Sequence, residues 1–153
     1  MTTRTGLVRA SVAIAMMCAS VSWAQAPAQE PALARTATDP ALQWGACPPF
    51  LPAGCGLAVL HGDPAKPNAD VFLKLPAKSV IPEHWHTSAE RMVLVAGELH
   101  ITYAGQPITV LRPGMYVYGP AKLSHKGTCA SATPCVLFIA FELPVDGVPS
   151  DVK

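Results

Sequence analysis

Charge is scarce in this sequence, and it is not concentrated anywhere. Lysine, arginine, aspartate and glutamate make up 14% of the 153 residues, with 11 basic side chains against 10 acidic ones. There is no basic stripe or run of Lys and Arg, which is the electrostatic footprint that nucleic-acid binding requires. Attraction to an anionic lipid surface lacks support for the same reason. The composition therefore predicts no nucleic-acid partner.

No apolar run is long enough to predict a membrane span. The run at residues 10–24 is rich in Ala and Ser and is shorter than the roughly 20 residues that a span requires. Arg4 and Arg9 precede it, and small residues lead up to Ala24. This arrangement is typical of a secretory signal peptide. We therefore predict a signal peptide at residues 1–24, a periplasmic or secreted protein and no stable membrane insertion.

The sequence has no CxxC pair, so a metal site made of thiolates is not indicated. Removal of the signal peptide takes Cys18 away and leaves four cysteines, an even number that is typical of disulfides in an exported chain. Four cysteines allow three pairings, and we predict the two sequence-local bridges, because each would close a short Pro-containing loop. These bridges join Cys47 to Cys55 and Cys129 to Cys135. Each contributes roughly 2–3 kcal/mol in the loop-entropy model.

Helical heptads and internal repeats are also absent. Residues 25–43 are rich in Ala and Pro without a period, which predicts a flexible tether. From residue 44 the chain alternates short apolar segments with turn residues, and one pair of segments reads as a hairpin turning at Ala104-Gly105. About seven or eight such segments predict a single all-β domain at residues 44–153, a sandwich or barrel.

Alternation along the strands places a few polar residues on the apolar inner face. His84 and His86 share one face of a strand, and Glu90 shares a face with Met92. Two imidazoles with a carboxylate in reach are a ready site for a divalent metal. A third histidine is needed to complete it. His125, which follows a strand and a Gly-Pro turn, is the candidate.

The spacing around the first two histidines resembles the first motif of the cupin family. That motif reads G-x5-H-x-H-x3-E-x6-G, and it is matched at His84, His86, Glu90 and Gly97. Lys78 stands where the leading glycine would be. The departure concerns a turn position and leaves the ligand positions intact.

The second cupin motif, G-x5-P-x-G-x2-H-x3-N, is matched at Gly114, Pro120 and His125. Lys122 replaces the inner glycine and Cys129 the final asparagine. These departures again affect turn or supporting positions. The end of this motif is also similar to the zinc-binding cupin-like domain of some anti-sigma factors, although no sigma-binding segment precedes it here.

The resemblance covers residues 72–141 and implies a single-domain cupin with a double-stranded β-helix, or jelly-roll, barrel. It implies a divalent metal ion (Fe, Mn, Zn, Ni or Cu) held by His84, His86, Glu90 and His125. Glu90 is either a ligand or a base that stays off the metal. Because a free imidazole has a pKa of about 6.5, we expect metal affinity to fall below that pH.

Two classes of function stay open, because the cupin fold alone does not name a reaction. The first is a metalloenzyme acting on a small molecule, with dioxygenase-type chemistry ahead of a lyase or isomerase and Glu90 as the catalytic base. The second is a non-catalytic binding or sensor module in which the metal is structural or reports on a ligand. A homodimer is left open as the assembly state.

Several other polar and aromatic residues are weaker candidates for the site. Turn chemistry and ordinary strand packing account for them without a special role. They are His61, Asp63 and Lys66 in a Gly-Asp-Pro turn, His100 on a solvent-facing position, Lys122 in a loop, and Trp85, Tyr103, Tyr116 and Tyr118 in strands.

Overall fold

The computed structural model describes residues 29–150. By its internal contacts the chain divides into two units, Met1–Leu33 and Ala34–Lys153. Of the first unit, only residues 29–33 are described, and they have no regular secondary structure. The predicted signal peptide and its cleavage site lie outside the described residues. Within the described part, no helix is long and apolar enough to cross a membrane.

The second unit contains two antiparallel β-sheets, as the strand pattern predicts. The larger sheet has six strands. They are β1 (Trp44–Ala46), β2 (Gly56–His61), β3 (Ala69–Leu75), β5 (Glu90–Ala96), β8 (Tyr116–Gly119) and β10 (Cys135–Phe141). Their order across the sheet is β1-β2-β3-β10-β5-β8, so that the last long strand of the chain lies at the centre.

The smaller sheet has five strands. They are β4 (Val80–Trp85), β6 (Leu99–Tyr103), β7 (Thr109–Leu111), β9 (His125–Cys129) and β11 (Val148–Pro149). Their order is β11-β4-β9-β6-β7, which makes β4 and β9 neighbours although some forty residues separate them. The predicted hairpin is confirmed, because β6 pairs with β7 and the amide of Gln106 donates to the carbonyl of Tyr103 across the turn.

The two sheets bury one apolar core between them. Leu94 and Leu137 from the larger sheet and Leu99 and Leu111 from the smaller one are all fully buried in the same cluster. Alternation holds along β5, where every second side chain is buried and Arg91 faces outward. Since both sheets present an apolar face inward, burying those faces is what holds them together. The all-β jelly-roll prediction is confirmed.

A smaller apolar cluster covers the outer face of the larger sheet. Phe72 and Phe138 meet edge to face there, with ring centroids 6.5 Å apart. Ala37 and Leu42 pack against the same cluster. Both belong to the stretch 25–43, so the end of that stretch lies against the sheet. The boundary at residue 44 between tether and domain stays a prediction.

Both predicted disulfides are present. Cys47 is bonded to Cys55 and Cys129 to Cys135, with Cα atoms 5.7 and 5.8 Å apart. The second bridge is fully buried and lies against Gly97. Gly97 has a φ of +86°, and a Cβ there would come within 2.9 Å of the Cys135 sulfur. This explains why the motif glycine is kept at that position.

The two lysines that replace motif glycines have the backbone conformation that glycine would adopt. Lys78 has a φ of +59° and Lys122 a φ of +63°. A side chain in this left-handed region costs roughly 1–2 kcal/mol. Each of these two turns therefore carries a local energetic cost.

Candidate metal centre

The three predicted histidines meet at one end of the space between the sheets. His84 and His125 are paired across neighbouring strands β4 and β9. His86 follows β4 directly, two residues further along the same inner face. One ring nitrogen from each histidine lies within 4.8 Å of the other two, and this group is able to hold a metal ion. The pairing of β4 with β9 is what brings the third histidine to the first two.

Each imidazole is oriented by a backbone carbonyl. The Nδ1 of His84 is 2.9 Å from the carbonyl oxygen of Pro82, and that of His125 is 3.4 Å from the oxygen of Leu123. The Nδ1 of His86 is hydrogen-bonded to the carbonyl of Asp146. Because a carbonyl oxygen only accepts, Nδ1 must carry the proton in each ring. Each Nε2 then has a free lone pair, which is the form that binds a metal.

Glu90 reaches the same point from the other sheet. It is the first residue of β5, and its side chain is buried. One carboxyl oxygen lies 3.3 Å from Nε2 of His86, and the other lies 3.7 Å from Nε2 of His125. Two donors at about 2.1 Å from one tetrahedral ion are about 3.4 Å apart. Each of these two distances fits a pair of donors on one metal ion, but the group of donors that all lie within 4.8 Å of one another consists of the three histidines alone.

Burial keeps the three imidazoles neutral. It lowers the pKa of His86 to about 4 and that of His125 to about 3, and it lowers the pKa of His84 as well. The sequence predicted that metal binding weakens below a pH of about 6.5. In the folded protein this limit moves to lower pH, because protons compete poorly for buried imidazoles.

Burial acts on Glu90 in the opposite direction. Desolvation, helped by the charge of Asp146, raises the pKa of its carboxyl to about 8. Neutral imidazoles give this carboxylate no positive charge to face, so its ionised form is disfavoured. A divalent cation among the three histidines would supply that charge. The donor set therefore fits a cation in chemistry as well as in spacing.

These side chains line a cavity of about 110 Å³. Most of its wall is aliphatic or aromatic and comes from both sheets. The strand residues in the wall include Leu57, Leu73, Ile81, Met92, Leu99, Ile101, Leu137, Ile139 and Phe141. A polar cluster at one side of an apolar cavity is the usual form of a small-molecule site.

Two of the residues that shape this site have no recognisable signal in the sequence. Asp146 accepts hydrogen bonds from the amide and the hydroxyl of Thr87, and its carbonyl orients His86 from sixty residues away. Phe50, in the loop closed by the first disulfide, lies 5.3 Å from the ring of His84. Neither has a spacing or motif that marks it, since both reach the site through tertiary packing.

The sequence predicts a packing role for Tyr103, and its ring does pack against His125, with ring centroids 5.1 Å apart. Its hydroxyl, however, is buried without a hydrogen-bond partner among the described residues. Burial and the nearby charge of Glu90 raise its pKa. Gly119 leaves room for both groups, because a Cβ there would come within 2.8 Å of the Tyr103 hydroxyl and 3.2 Å of a Glu90 oxygen.

The weaker candidates lie away from the cavity. Asp63 and Lys66 form an ion pair of 3.0 Å in a surface turn. His100 lies 2.9 Å from a carboxyl oxygen of Glu98, in a half-exposed pair. The remaining five are either exposed or half-buried and do not line the cavity, namely His61, Trp85, Tyr116, Tyr118 and Lys122. Their predicted structural or surface roles agree with these positions.

Two facing antiparallel sheets, with a polar cluster in the space between them, define the class as an all-β jelly roll with an interior site. The family model described as a cupin domain matches residues 71–141, nearly the range of the resemblance in the sequence. Residues 71–141 therefore form a cupin domain.

Solved structures with this fold include several cupins and enzymes. The polyketide cyclase RemF from Streptomyces resistomycificus is 13% identical with a TM-score of 0.63, and the match covers 79% of this chain and 88% of that one. The DMSP lyase DddQ from Ruegeria pomeroyi is 22% identical with a TM-score of 0.61, covering 71% and 61%. An RmlC-like cupin from Shewanella frigidimarina is 20% identical with a TM-score of 0.56, covering 69% and 86%.

These similarities concern the fold and not the activity. The match spans about 61% of the length of the lyase chain, and the identities are too low to transfer an activity. A search of curated proteins found no match. The similarity to anti-sigma factors stays a prediction.

Proposed function

We propose that this cupin binds one divalent metal ion through His84, His86, His125 and Glu90. The convergence of three correctly oriented imidazoles carries this proposal. One ring nitrogen from each histidine lies within 4.8 Å of the other two, while a backbone carbonyl is hydrogen-bonded to each Nδ1. Such outer hydrogen bonds typically accompany metal-ligating histidines. Three nitrogen donors and one carboxylate suit Fe, Mn, Zn, Ni or Cu.

The metal site would serve an enzyme acting on a small molecule. A bound divalent metal supplies Lewis acidity and an open position for substrate oxygens. The three histidines would orient the substrate by fixing that position, and the apolar wall would exclude water from it. If Glu90 stays off the metal, it would instead act as the base and hold or release a proton at a carboxyl oxygen. Dioxygenase-type chemistry is the first reaction class to test, followed by lyase or isomerase chemistry.

One observation favours a second function, a non-catalytic binding or sensor module. Besides the histidines, the cavity wall offers three charged residues, Glu90, Lys126 and Asp146. Lys126 is exposed, and the Asp146 carboxylate is already hydrogen-bonded to Thr87. Glu90 is therefore the one buried acid–base group available for catalysis in the described wall. If Glu90 serves only as a metal ligand, the protein binds a small molecule without converting it.

Export belongs to the same proposal. Disulfides form and persist mainly in oxidising compartments, and this domain has two. The predicted signal peptide would deliver the chain to the periplasm or the medium. The proposed reaction or binding event would then take place outside the cytoplasm.

A Glu90→Gln variant separates the enzyme from the binding module. Metal content is measured by mass spectrometry after reconstitution, and turnover is measured on substrates found by screening. For an enzyme, activity per bound metal should fall by about 10²–10⁴-fold, the usual contribution of acid–base catalysis. Glu142→Gln is the matched control, since Glu142 is an exposed carboxylate paired with Arg91. Unchanged activity per metal in Glu90→Gln would contradict the catalytic role.

A further inference from the structure

The cavity wall offers a bound molecule very few polar partners. Away from the three histidines and Glu90, the strand side chains that face the cavity are aliphatic or aromatic, apart from the exposed Lys126. A hydroxyl or amide placed against such a wall would lose its hydrogen bonds to water without replacement. The wall therefore discriminates against molecules with polar groups along their length.

Two loop segments complete the cavity where the strands do not. One is the segment 48–51 inside the loop closed by the Cys47–Cys55 bridge, and the other is the segment 145–147 between β10 and β11. Both contribute wall residues, and they are in contact with each other. A Cβ on Gly147 would come within 3.0 Å of the Phe50 ring. The Phe50 ring thus fills the space between the segment 145–147 and His84.

The volume limits what can fit. A dry, apolar cavity of about 150 Å³ in another protein is large enough for benzene. The part of a molecule that lies inside a cavity of about 110 Å³ is therefore limited to about four to six non-hydrogen atoms.

We propose that the site takes a small, largely apolar molecule with one polar end facing the histidines, and that Phe50, which lines the cavity beside His84, limits the size of that molecule. This inference rests on the proposed function in one respect, namely that the polar end meets the metal ligands. The preference for an apolar body depends on the wall alone. It holds for the metal-free protein as well.

The wall is tested with two neutral probes of equal size, butan-1-ol and propane-1,3-diol, which differ in a terminal methyl against a terminal hydroxyl. Their binding is measured by NMR titration of metal-free and of zinc-loaded protein. We expect butan-1-ol to bind about tenfold more tightly in both forms, because the second hydroxyl of the diol finds no partner in the wall. Equal affinity, or tighter binding of the diol, would overturn the inference.

Phe50 is tested with a series of straight-chain alcohols from ethanol to octan-1-ol. In the wild type, affinity should rise with chain length and stop rising near six non-hydrogen atoms. In Phe50→Ala the limit should move to longer chains. Leu143→Ala is the control, because Leu143 is an exposed apolar residue outside the cavity wall.

Phe50→Leu is measured beside Phe50→Ala as a milder variant that guards against loss of folding, and circular dichroism checks both. An unchanged size limit in a folded Phe50 variant would refute its role. Failure of the proposed function has a different signature, since the protein would then bind no zinc while the alcohol preferences persisted.

Discussion

Three backbone carbonyls orient the histidines for metal binding, and this matters as much as the spacing of the histidines in the sequence. Pro82, Leu123 and Asp146 supply these carbonyls, one to each ring. They hold the proton on Nδ1 and leave Nε2 free. Each ring is also mostly buried, so it stays neutral at physiological pH. The site is therefore prepared to bind before any metal arrives.

Replacing any one of the three histidines with alanine should abolish tight metal binding. Loss of a supporting residue alone typically lowers metal affinity 10–100-fold, so loss of a ligand should cost at least about 100-fold. The measurement is calorimetric titration of metal-free protein with zinc for His84→Ala, His86→Ala and His125→Ala. His100→Ala serves as the control, since His100 lies outside the cavity beside Glu98. Wild-type affinity in any of the three would remove that residue from the site.

The stability of the metal-free protein should depend on pH through two opposing effects. The pKa of His86 is about 4 and that of His125 about 3, both below the ordinary 6.5, so stability rises as pH increases toward 6.5. The pKa of Glu90 is about 8, above the ordinary 4.5, so its contribution falls as pH increases from 4.5 to 8. Because three imidazoles outweigh one carboxyl, the maximum should lie near pH 6.5.

Above pH 6.5 the contribution of the imidazoles to stability no longer rises, and only the contribution of Glu90 still changes with pH. One pKa unit corresponds to about 1.4 kcal/mol, so the free energy of unfolding should fall by about 2 kcal/mol between pH 6.5 and 8. Urea unfolding of protein treated with a chelator measures this decline. In Glu90→Gln the decline should disappear, because glutamine does not titrate. A decline of equal size in that variant would show that another group is responsible.

Turns connect the strands that contain the cupin motifs, and two of these turns contain a residue with a strained backbone. Lys78 and Lys122 both have a positive φ at positions where the cupin motifs have glycine. Their surroundings differ, because the ammonium of Lys78 donates to the carbonyl of Ala130. The amide of Lys122 donates to the carbonyl of His86, which ties this turn to the metal site.

Lys122→Gly should stabilise the protein by about 0.5–1 kcal/mol, because glycine adopts a positive φ without steric cost. Thermal unfolding measures the change. Lys122→Ala, which keeps a Cβ in the same conformation, should stay within about 0.5 kcal/mol of the wild type and is the control. Lys78→Gly should gain less, since it also loses the hydrogen bond to Ala130. A destabilised Lys122→Gly would show that the turn is not strained.

The whole molecule combines a barrel stabilised from inside with loops stabilised by disulfides. Both sheets share one core, and the Cys129–Cys135 bridge is buried in it. The Cys47–Cys55 bridge instead closes the loop that brings Phe50 to the cavity. Such bridges are expected to persist only outside the reducing cytoplasm. The assembly state, including the homodimer, stays a prediction.

The mature chain should begin near Gln25. Small residues lead up to Ala24, a pattern that is typical of a signal-peptidase cleavage site. Intact-mass measurement of protein purified from the periplasm or medium checks the position, and the reduced and oxidised masses report whether all four remaining cysteines are bonded. Exported protein that retains Arg4 would contradict the signal-peptide assignment. Ala24→Leu is a useful variant, because a large residue there should block processing while leaving the domain unchanged.

The sequence alone predicted the fold class, the local disulfides and the three histidines that meet between the sheets. These follow from short-range patterns, since alternation fixes which face a residue occupies and motif spacing fixes which histidines share it. His84, His86 and Glu90 lie within seven residues of one another and share that local pattern. The fold class follows because strands with one apolar face must bury it against another sheet.

Only the tertiary structure decided how the site is oriented, charged and closed. His125 reaches His84 through pairing of β4 with β9, and Asp146 and Phe50 arrive from opposite ends of the domain. No local pattern encodes such contacts, because they depend on how distant segments pack. The protonation of the site was hidden from the sequence for the same reason. A pKa follows the burial and neighbouring charges of a group, and both exist only once the two sheets have closed around it.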